Sequence, residues 1–153
     1  MPARGPSTHR GFSLIELLIV VAILGMIAVI AIPNLINTIQ RSRQSRTMAE
    51  MRVFGEALEM YQQDNNIYPW AAGAIPADVL SPFLSVYIRN ITLVDAWQQP
   101  LLYSSNGTRY TVVSYAANGA ADLPYTNGPT QRFVSDIVLS GGTFVQWPEG
   151  VQY

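Results

Sequence analysis

The chain has 153 residues, of which 49% are apolar and 12% are charged, with nine basic and ten acidic side chains. This length and composition suit one ordinary domain with an appendage, and they exclude a disordered chain and a polybasic nucleic-acid binder. Every basic residue is arginine, cysteine is absent and the single histidine is His9. Thiol nucleophiles, disulfides and the lysines of P-loop and Schiff-base enzymes are therefore excluded.

The first predicted element is an apolar helix. Residues Leu17 to Ile32 carry no polar side chain, and a helix counted from Phe12 would be roughly 31 Å long, enough to cross a bilayer. Two other interpretations remain open: a secretory signal peptide that ends near Ala31, and a plain single-span anchor. Neither explains why Glu16 stands directly before the apolar run, since a carboxylate at the bilayer centre costs on the order of 3 kcal/mol.

The residues before this run, Arg10 to Glu16, read RGFSLIE. This junction resembles the class III leader junction of type IV pilins and type II secretion pseudopilins. The resemblance implies that a prepilin peptidase cleaves between Gly11 and Phe12, removes the leader at residues 1–11, and leaves Phe12 to be N-methylated. Residues 12–34 would stay in the mature protein as a transmembrane and assembly helix.

Glu16 has a specific role in this interpretation. Cleavage creates an ammonium group on Phe12, and two opposite charges in a low dielectric stabilise each other far more than either is stabilised alone. The resemblance implies that the Phe12 ammonium of one subunit pairs with the Glu16 carboxylate of its neighbour. This pairing would neutralise both groups and set the axial register of a filament.

Pro33 follows the apolar run directly and removes one backbone donor. We therefore expect a kink or local melting near residues 29–33. The family places a Pro or Gly helix break at the same point, and a simple helix end at Pro33 is the alternative interpretation.

Beyond Pro33 the pattern predicts that the helix continues over residues 35–64 as an amphipathic segment. Its apolar stripe follows steps of three and four residues: Met48, Met51, Phe54, Leu58 and Tyr61. The polar stretch before the stripe carries Arg41, Arg43 and Arg46, which could contact lipid phosphates or neighbouring subunits, or simply face solvent. The residues Asp64-Asn65-Asn66 are expected to end the helix.

The remaining residues, 65–153, are predicted to form a globular head. Residues 65–92 read as a connecting region with two short helices, one near Ala77 to Leu80 and one from Ser81. Four strands are expected, at residues 101–105, 108–115, 133–139 and 143–147. The first two would be joined by Asn106-Gly107 in a type I′ turn. The predicted fold class is α+β, with a long N-terminal helix packed on a small antiparallel sheet.

Three motifs in this part resemble those of the major pseudopilin of type II secretion. They are ALEMYQQDNNIYP at residues 57–69, DAWQQPLLY at 95–103 and SYAANG at 114–119. The resemblance implies a type IV pilin-like fold and a structural subunit that polymerises as the periplasmic piston of type II protein secretion. A type IV pilin that forms extracellular fibres for adhesion or motility is the alternative.

Major pseudopilins bind calcium in the carboxy-terminal loop, and Ca²⁺ takes six to eight oxygen ligands. The resemblance places candidate ligands at four positions: the carbonyl of Tyr115, Asn118, Ser135 and Asp136. Asp122 is an added fifth candidate. Asn118 and Ser135 are neutral where the family often has acids, which weakens the attraction for a cation. Solvated loop residues are the alternative interpretation.

The resemblance also implies partners and a location. The partners are further copies of the chain in a helical filament, the prepilin peptidase/methyltransferase, the inner-membrane assembly platform, minor pseudopilins, and membrane lipid before assembly. The chain would cross the bacterial inner membrane once, with its head in the periplasm. No catalytic motif is present in the sequence, so an enzyme is not expected. A nucleic-acid partner is not expected either, because the head carries few arginines.

Overall fold

The computed structural model describes residues 11–153, so residues 1–10 of the predicted leader lie outside the described part. The chain divides into two compact units, Met1–Ile36 and Asn37–Tyr153. The long helix α1, Leu14–Asn65, begins in the first unit and ends in the second. The predicted division of the chain after residue 34, between the transmembrane and the amphipathic segment, and after residue 64, before the head, stays a prediction.

In the first unit nearly all side chains of α1 are exposed. This part of the chain contains one helix that is long and apolar enough to cross a membrane, judged by length and composition, and none of the most apolar 18-residue window is buried. The helix continues through Pro33 without interruption, and the kink or local melting expected near residues 29–33 stays a prediction. The side-chain amide of Asn34 donates to the carbonyl of Ile30 at 3.2 Å, which adds a hydrogen bond beside the donor that Pro33 lacks.

In the second unit α1 ends as the sequence predicts. Asn66 adopts a left-handed φ of 60°, and its backbone N–H donates to the carbonyl of Gln62 at 2.7 Å. Asparagine tolerates this conformation at helix ends. Two short helices follow where they were expected, a 3₁₀ helix at Ala77–Leu80 and α2 at Ser81–Leu84.

The head carries a six-stranded sheet. Its strands are β1 (Ala71–Pro76), β2 (Leu102–Ser105), β3 (Tyr110–Ser114), β4 (Gly128–Thr130), β5 (Ile137–Ser140) and β6 (Thr143–Pro148). The order across the sheet is β1-β2-β3-β5-β6-β4. All neighbouring pairs are antiparallel except β4 and β6, which are parallel. The predicted α+β fold with a mostly antiparallel sheet is confirmed.

The core of the head lies between α1 and this sheet. Met51, Phe54 and Leu58 of the predicted stripe are fully buried, and Met48 and Tyr61 pack at its margins. Their partners on the sheet side include residues of β2, β3 and β5: Tyr103, Tyr110, Val112, Ile137 and Leu139. The 3.6-residue periodicity of the helix therefore identified the face that the sheet covers.

Two strands were not predicted. β1 lies in the segment read as a connecting region, and β4 adds the parallel pair to a sheet expected to be wholly antiparallel. β1 has the sequence AAGAIP and β4 has GPT, which carry few of the β-branched and aromatic residues typical of strands. Both are edge strands, where glycine and proline are tolerated.

The predicted hairpin is present, but its turn type was wrong. The pairing of β2 with β3 ends at Ser105 and Tyr110, and the four residues between these two form the loop. In this loop Gly107 has a positive φ and Asn106 does not. The Oδ1 atom of Asn106 accepts the backbone N–H groups of Thr108 and Arg109, so this side chain stabilises the loop.

The strand expected at residues 133–139 begins only at Ile137. The preceding residues form a turn in which the N–H of Ser135 donates to the carbonyl of Arg132 at 3.1 Å. The backbone carbonyl of Asp136 accepts the side-chain amide of Gln146 at 2.8 Å, in place of a backbone donor from a neighbouring strand.

Candidate functional site

The N-terminal turn of α1 holds the residues predicted to act in assembly. α1 begins at Leu14, and the Oε2 atom of Glu16 accepts a hydrogen bond from the backbone N–H of Ser13 at 2.9 Å. Ser13 and Glu16 thus have the S-x-x-E spacing of a capping box, in which the acid satisfies a free donor at the helix start. Glu16 therefore caps its own helix, in addition to the predicted role of pairing with a neighbour.

Gly11 and Phe12, the predicted cleavage and methylation sites, precede this turn and lie outside the helix. Phe12 is 80% exposed, and a Cβ built on Gly11 meets no atom within 4 Å. Cleavage and methylation at these residues stay predictions, as do the pairing role of Glu16 and the helix break at Pro33.

The second candidate region lies between β3 and β5 and contains the predicted calcium ligands. The Nδ2 atom of Asn118 donates to Oδ1 of Asp122 at 3.4 Å, and the backbone N–H of Asp122 donates to Oδ2 of Asp136 at 3.0 Å. Asn118, Asp122 and Ser135 line one cavity of about 500 Å³. The structure therefore brings four of the five candidates together. At the fifth, the carbonyl of Tyr115 accepts the N–H of Gly119 at 3.2 Å.

Asp136 is the unusual group in this region. Its side chain is fully buried, and its Oδ1 atom accepts no hydrogen bond. Burial raises the pKa of Asp136 to about 6, and the carboxylate of Asp122 adds to the rise, whereas the N–H of Asp122 and the hydroxyl of Tyr125 oppose it. Burial also raises the pKa of Tyr125 to about 12, with the charge of Asp136 as the next cause. A buried carboxylate oxygen without a donor suits a cation.

The supply of charged ligands here is small. The described residues contain no group of three or more His, Cys, Asp or Glu side chains that could hold a metal ion. A calcium ion would have to rely on Asp122 and Asp136 together with neutral oxygens and water, which calcium accepts. The Oδ1 atom of Asn118 accepts the N–H of Ala120 at 3.3 Å. To bind calcium, this oxygen would have to give up that hydrogen bond.

The sequence analysis noted the motif at residues 95–103 but did not predict the group of hydrogen bonds that Asp95 makes. Asp95 is 1% exposed, and its carboxylate accepts three hydrogen bonds: from the hydroxyl of Ser114 at 2.7 Å and from the N–H groups of Trp97 and Gln99, both at 2.9 Å. The buried hydroxyl of Thr47 on α1 accepts the N–H of Ala96 at 3.0 Å. An Asp followed by turn residues is the local signal of such an Asx turn.

Two family models match successive parts of the chain. A model of the prokaryotic N-terminal methylation motif matches residues 6–32, and the model of type II secretion system (T2SS), protein G matches residues 34–130. The chain belongs to the type II secretion system protein G family. This confirms the resemblance to the major pseudopilin and the predicted pseudopilin function in type II secretion. The match to the methylation motif, together with the exposed apolar part of α1, supports membrane anchoring and processing by a prepilin peptidase.

Relatives named type II secretion system core protein G align along most of the chain. The relative from Pectobacterium carotovorum subsp. carotovorum is 30% identical over 121 residues, which cover 79% of this chain and 76% of the relative. The relative from Escherichia coli (strain K12) is 28% identical over 139 residues, covering 91% and 95%. The relative from Vibrio cholerae serotype O1 is 30% identical over 110 residues, covering 67% and 75%. No solved structure matches the chain significantly.

Proposed function

We propose that this chain is the repeating subunit of a pilus-like filament that grows from the inner membrane as the periplasmic piston of type II secretion. The observation that carries the proposal is the bare apolar half of α1. Its most apolar window has a mean hydropathy of 3.0 and is 0% buried by the described residues. Such a surface needs lipid before assembly and copies of the same helix afterwards, because apolar area in water is unfavourable.

Glu16 supplies the register of this assembly. It is the one acidic residue before Glu50, and it lies at the start of an otherwise apolar surface. One of its oxygens caps the helix, which fixes the orientation of the carboxylate. The ammonium that cleavage creates on a neighbouring Phe12 would be its counter-ion, and breaking such a pair in an apolar surrounding costs about 3–5 kcal/mol.

The variant Glu16→Gln tests this role sharply, because a glutamine oxygen can still accept the N–H of Ser13 while the charge is removed. We expect the variant to be inserted and processed, as intact-mass analysis would show, but to form fewer fibres than the wild type by a factor of about ten or more. Asp78→Asn, which removes an equal charge at an exposed head position, is the matched control. Wild-type fibre yield from Glu16→Gln would contradict the pairing.

A second experiment, made at native expression levels and not under the overexpression used to count fibres, separates the piston from a surface pilus. With native expression levels, a piston subunit leaves secreted proteins in the periplasm when it is deleted and shows no extracellular fibres by electron microscopy. Fibres on the cell surface together with intact secretion would instead favour the pilin alternative.

The subunit role is structural, and its partners follow from it. They are the prepilin peptidase/methyltransferase, the inner-membrane assembly platform, minor pseudopilins and further copies of the chain. The family is one of structural subunits. We therefore propose that the chain acts by stacking and not by catalysis, and that the head lies in the periplasm.

Calcium binding in the loop between β3 and β5 is the second part of the proposal. The free Oδ1 atom of buried Asp136, with Asp122 in contact, supports a cation there. Asn118, Ser135 and the carbonyl of Tyr115 would supply neutral oxygens. The bound ion would neutralise the two carboxylates and hold the loop against β5.

A further inference from the structure

Gln146 is a buried polar residue of β6, the strand that lies between β5 and β4 in the sheet. The residue is 3% exposed. In the sheet it lies opposite Val138 of β5 on one side and Gly128 of β4 on the other. Because β6 is paired on both sides at this position, the sheet fixes the backbone of Gln146.

The side-chain amide of Gln146 joins two parts of the chain that are distant in sequence. Its Nε2 atom donates to the backbone carbonyl of Asp136 at 2.8 Å. Its Oε1 atom accepts the backbone N–H of Thr126 at 2.9 Å and the hydroxyl of the same residue at 3.1 Å. An amide oxygen has two lone pairs, and both are used here, so Gln146 has no free acceptor for a metal ion.

The two parts that Gln146 joins carry candidate calcium ligands. Asp136, on one side, has the buried Oδ1 atom that accepts no hydrogen bond, and its Oδ2 atom accepts the N–H of Asp122 at 3.0 Å. Thr126, on the other side, belongs to the mostly exposed loop of residues 122–127. Asp122, Thr126 and Gln146 line the same cavity of about 500 Å³. Gln146 therefore helps to hold Asp122 and its loop against the buried carboxylate of Asp136.

The formal charge around this cavity is small. Asp122 and Asp136 supply two carboxylates, but Arg132 also lines the cavity, which leaves one negative charge among the described residues around it. Attraction alone therefore contributes little to the binding of a cation. The affinity of a calcium site also depends on how rigidly its ligands are held, and ligands that are fixed in advance lose less freedom on binding.

We propose that Gln146 is the positioning residue of the candidate calcium site, and that it holds Asp136 and the loop of residues 122–127 together before the ion binds. This inference rests on the calcium binding proposed above. Partners that orient metal ligands change the metal affinity by about 10- to 100-fold when they are removed. Because β4 follows this loop directly and pairs with β6 at Gln146, calcium should also stabilise this edge strand.

Calcium titration of the Gln146→Met variant tests the proposal, because methionine keeps a similar length but lacks the amide donor and acceptor. The full chain in detergent is freed of calcium with a chelator and titrated with calcium chloride in a calorimeter. We expect the affinity to fall by about 10- to 100-fold. Gly55→Ala, which disturbs the packing of α1 on the sheet and does not line the cavity, is the control and should keep the wild-type affinity. An unchanged affinity of Gln146→Met would overturn the proposal.

Hydrogen exchange read by mass spectrometry separates positioning from a general loss of stability. In the wild type, calcium should slow the exchange of residues 122–130. At saturating calcium, Gln146→Met should exchange faster than the wild type at residues 122–130 and equally at residues 102–114, which contain β2 and β3. Faster exchange to the same degree in both segments would mean that Gln146 supports the whole sheet, and this result would refute a positioning role.

The variant Gln146→Glu separates positioning from direct binding of the ion. It puts a carboxylate oxygen in place of the amide nitrogen that donates to Asp136, and it adds a negative charge beside the cavity. A positioning role predicts weaker calcium binding than in the wild type in spite of the added charge. Binding as tight as in the wild type, or tighter, would make this side chain a ligand and contradict the proposal.

Thr126→Val is a milder variant that decides the question if Gln146→Met does not fold. It removes only the hydroxyl that donates to Gln146 and keeps the backbone N–H. The loss of one hydrogen bond should weaken calcium binding by about two- to tenfold. Wild-type affinity in this variant would count against positioning by Gln146.

The wild type and Asp136→Asn distinguish failure of the positioning role from failure of the calcium site. If the wild type gives no heat with calcium chloride, the site and the positioning role both fail. If the wild type binds calcium and Asp136→Asn does not, while Gln146→Met binds like the wild type, the calcium site stands and the role of Gln146 is refuted.

Discussion

At the scale of single residues, Asp95 fixes the loop of residues 95–99 between α1 and β3. Its carboxylate is the acceptor for three donors, of which Ser114 belongs to β3. Removing a buried acceptor leaves those donors without a partner, and each unsatisfied buried group costs about 1–3 kcal/mol. Asp95 therefore contributes to the stability of the head by accepting hydrogen bonds from these three donors.

We expect Asp95→Ala to lower the free energy of unfolding by about 3 kcal/mol, and Asp95→Asn, which keeps one acceptor oxygen, by about 1–2 kcal/mol. Urea unfolding of the detergent-solubilised chain measures both. Asp78→Ala, at an exposed position, should change stability by less than about 0.5 kcal/mol. A small effect of Asp95→Ala would mean that water replaces the carboxylate.

Tyr68 makes the stability of the head sensitive to alkaline pH. Burial, followed by the hydrogen bond to Glu59 at 2.8 Å, raises the pKa of Tyr68 from 10.0 to about 12. Burial likewise raises the pKa of Tyr110, whose ring centroid lies 4.9 Å from that of Tyr68. The folded head therefore holds these phenols neutral at pH values where the unfolded chain ionises them.

The stabilising contribution of Tyr68 is complete below pH 10 and is lost as the pH rises toward 12. We expect Tyr68→Phe to lose less stability than the wild type over this interval, measured by unfolding at each pH. Tyr153→Phe, at a 74% exposed position, should follow the wild type. Identical pH profiles for Tyr68→Phe and the wild type would contradict this assignment.

The sequence allowed us to predict roles for residues that stand in a contiguous motif. It did not allow us to predict the roles of residues that act through contacts with distant parts of the chain. Gly11, Phe12 and Glu16 stand in a contiguous junction that can be read from the chain. Asp95 was visible as part of a motif, but its link to Ser114 spans 19 residues and appears only in the fold. The local acceptor role of Asn106 was missed because Asn-Gly also suits a type I′ turn.

At the scale of elements, Gly55 sets how closely α1 approaches the sheet. A Cβ at this position would lie 2.9 Å from the hydroxyl oxygen of Tyr110 and 3.1 Å from Cδ2 of Leu139. Tyr110 is fully buried and its hydroxyl accepts the N–H of Gly142, so the ring cannot move aside freely. Helix propensity alone would favour alanine, which shows that packing decides this position.

We expect Gly55→Ala to destabilise the head by about 1–2 kcal/mol, because overpacking costs about 1–3 kcal/mol and the gain in helix propensity is about 1 kcal/mol. Chemical unfolding followed by near-UV circular dichroism measures this loss. Gly25→Ala is the control, since a Cβ there meets no atom within 4 Å. A Gly55→Ala head that is as stable as the wild type would show that the sheet can shift outward.

The elements that could be predicted are those with strong periodicity. The stripe from Met48 to Tyr61 and the strands β2, β3 and β6 all show the spacing of their element. β1 and β4 could not be predicted because their short Ala, Gly and Pro-rich sequences form strands only beside β2 and β6. Edge pairing of this kind is a tertiary effect that overrides local propensity.

At the scale of the whole molecule, the two units satisfy their apolar surface in different ways. The head buries its stripe against its own sheet, whereas the apolar part of α1 is exposed throughout the described residues. The first arrangement gives a folded head, and the second requires lipid or other subunits. This difference supports the proposed role as a filament subunit, in which the head folds on its own core and the apolar part of α1 makes the contacts of assembly.

If the loop between β3 and β5 binds calcium, the stability of the folded head will depend on the calcium concentration. Ligand that binds only the folded state adds about 2.7 kcal/mol at a hundredfold excess over the dissociation constant, so calcium should raise the melting temperature of the detergent-solubilised chain. Asp136→Asn should abolish the rise because it removes the buried carboxylate, while Asp78→Asn should keep it. Magnesium should not substitute, since it demands a tighter octahedral geometry. If calorimetry gives no heat with calcium and the melting temperature does not change, the loop is held by its hydrogen bonds alone.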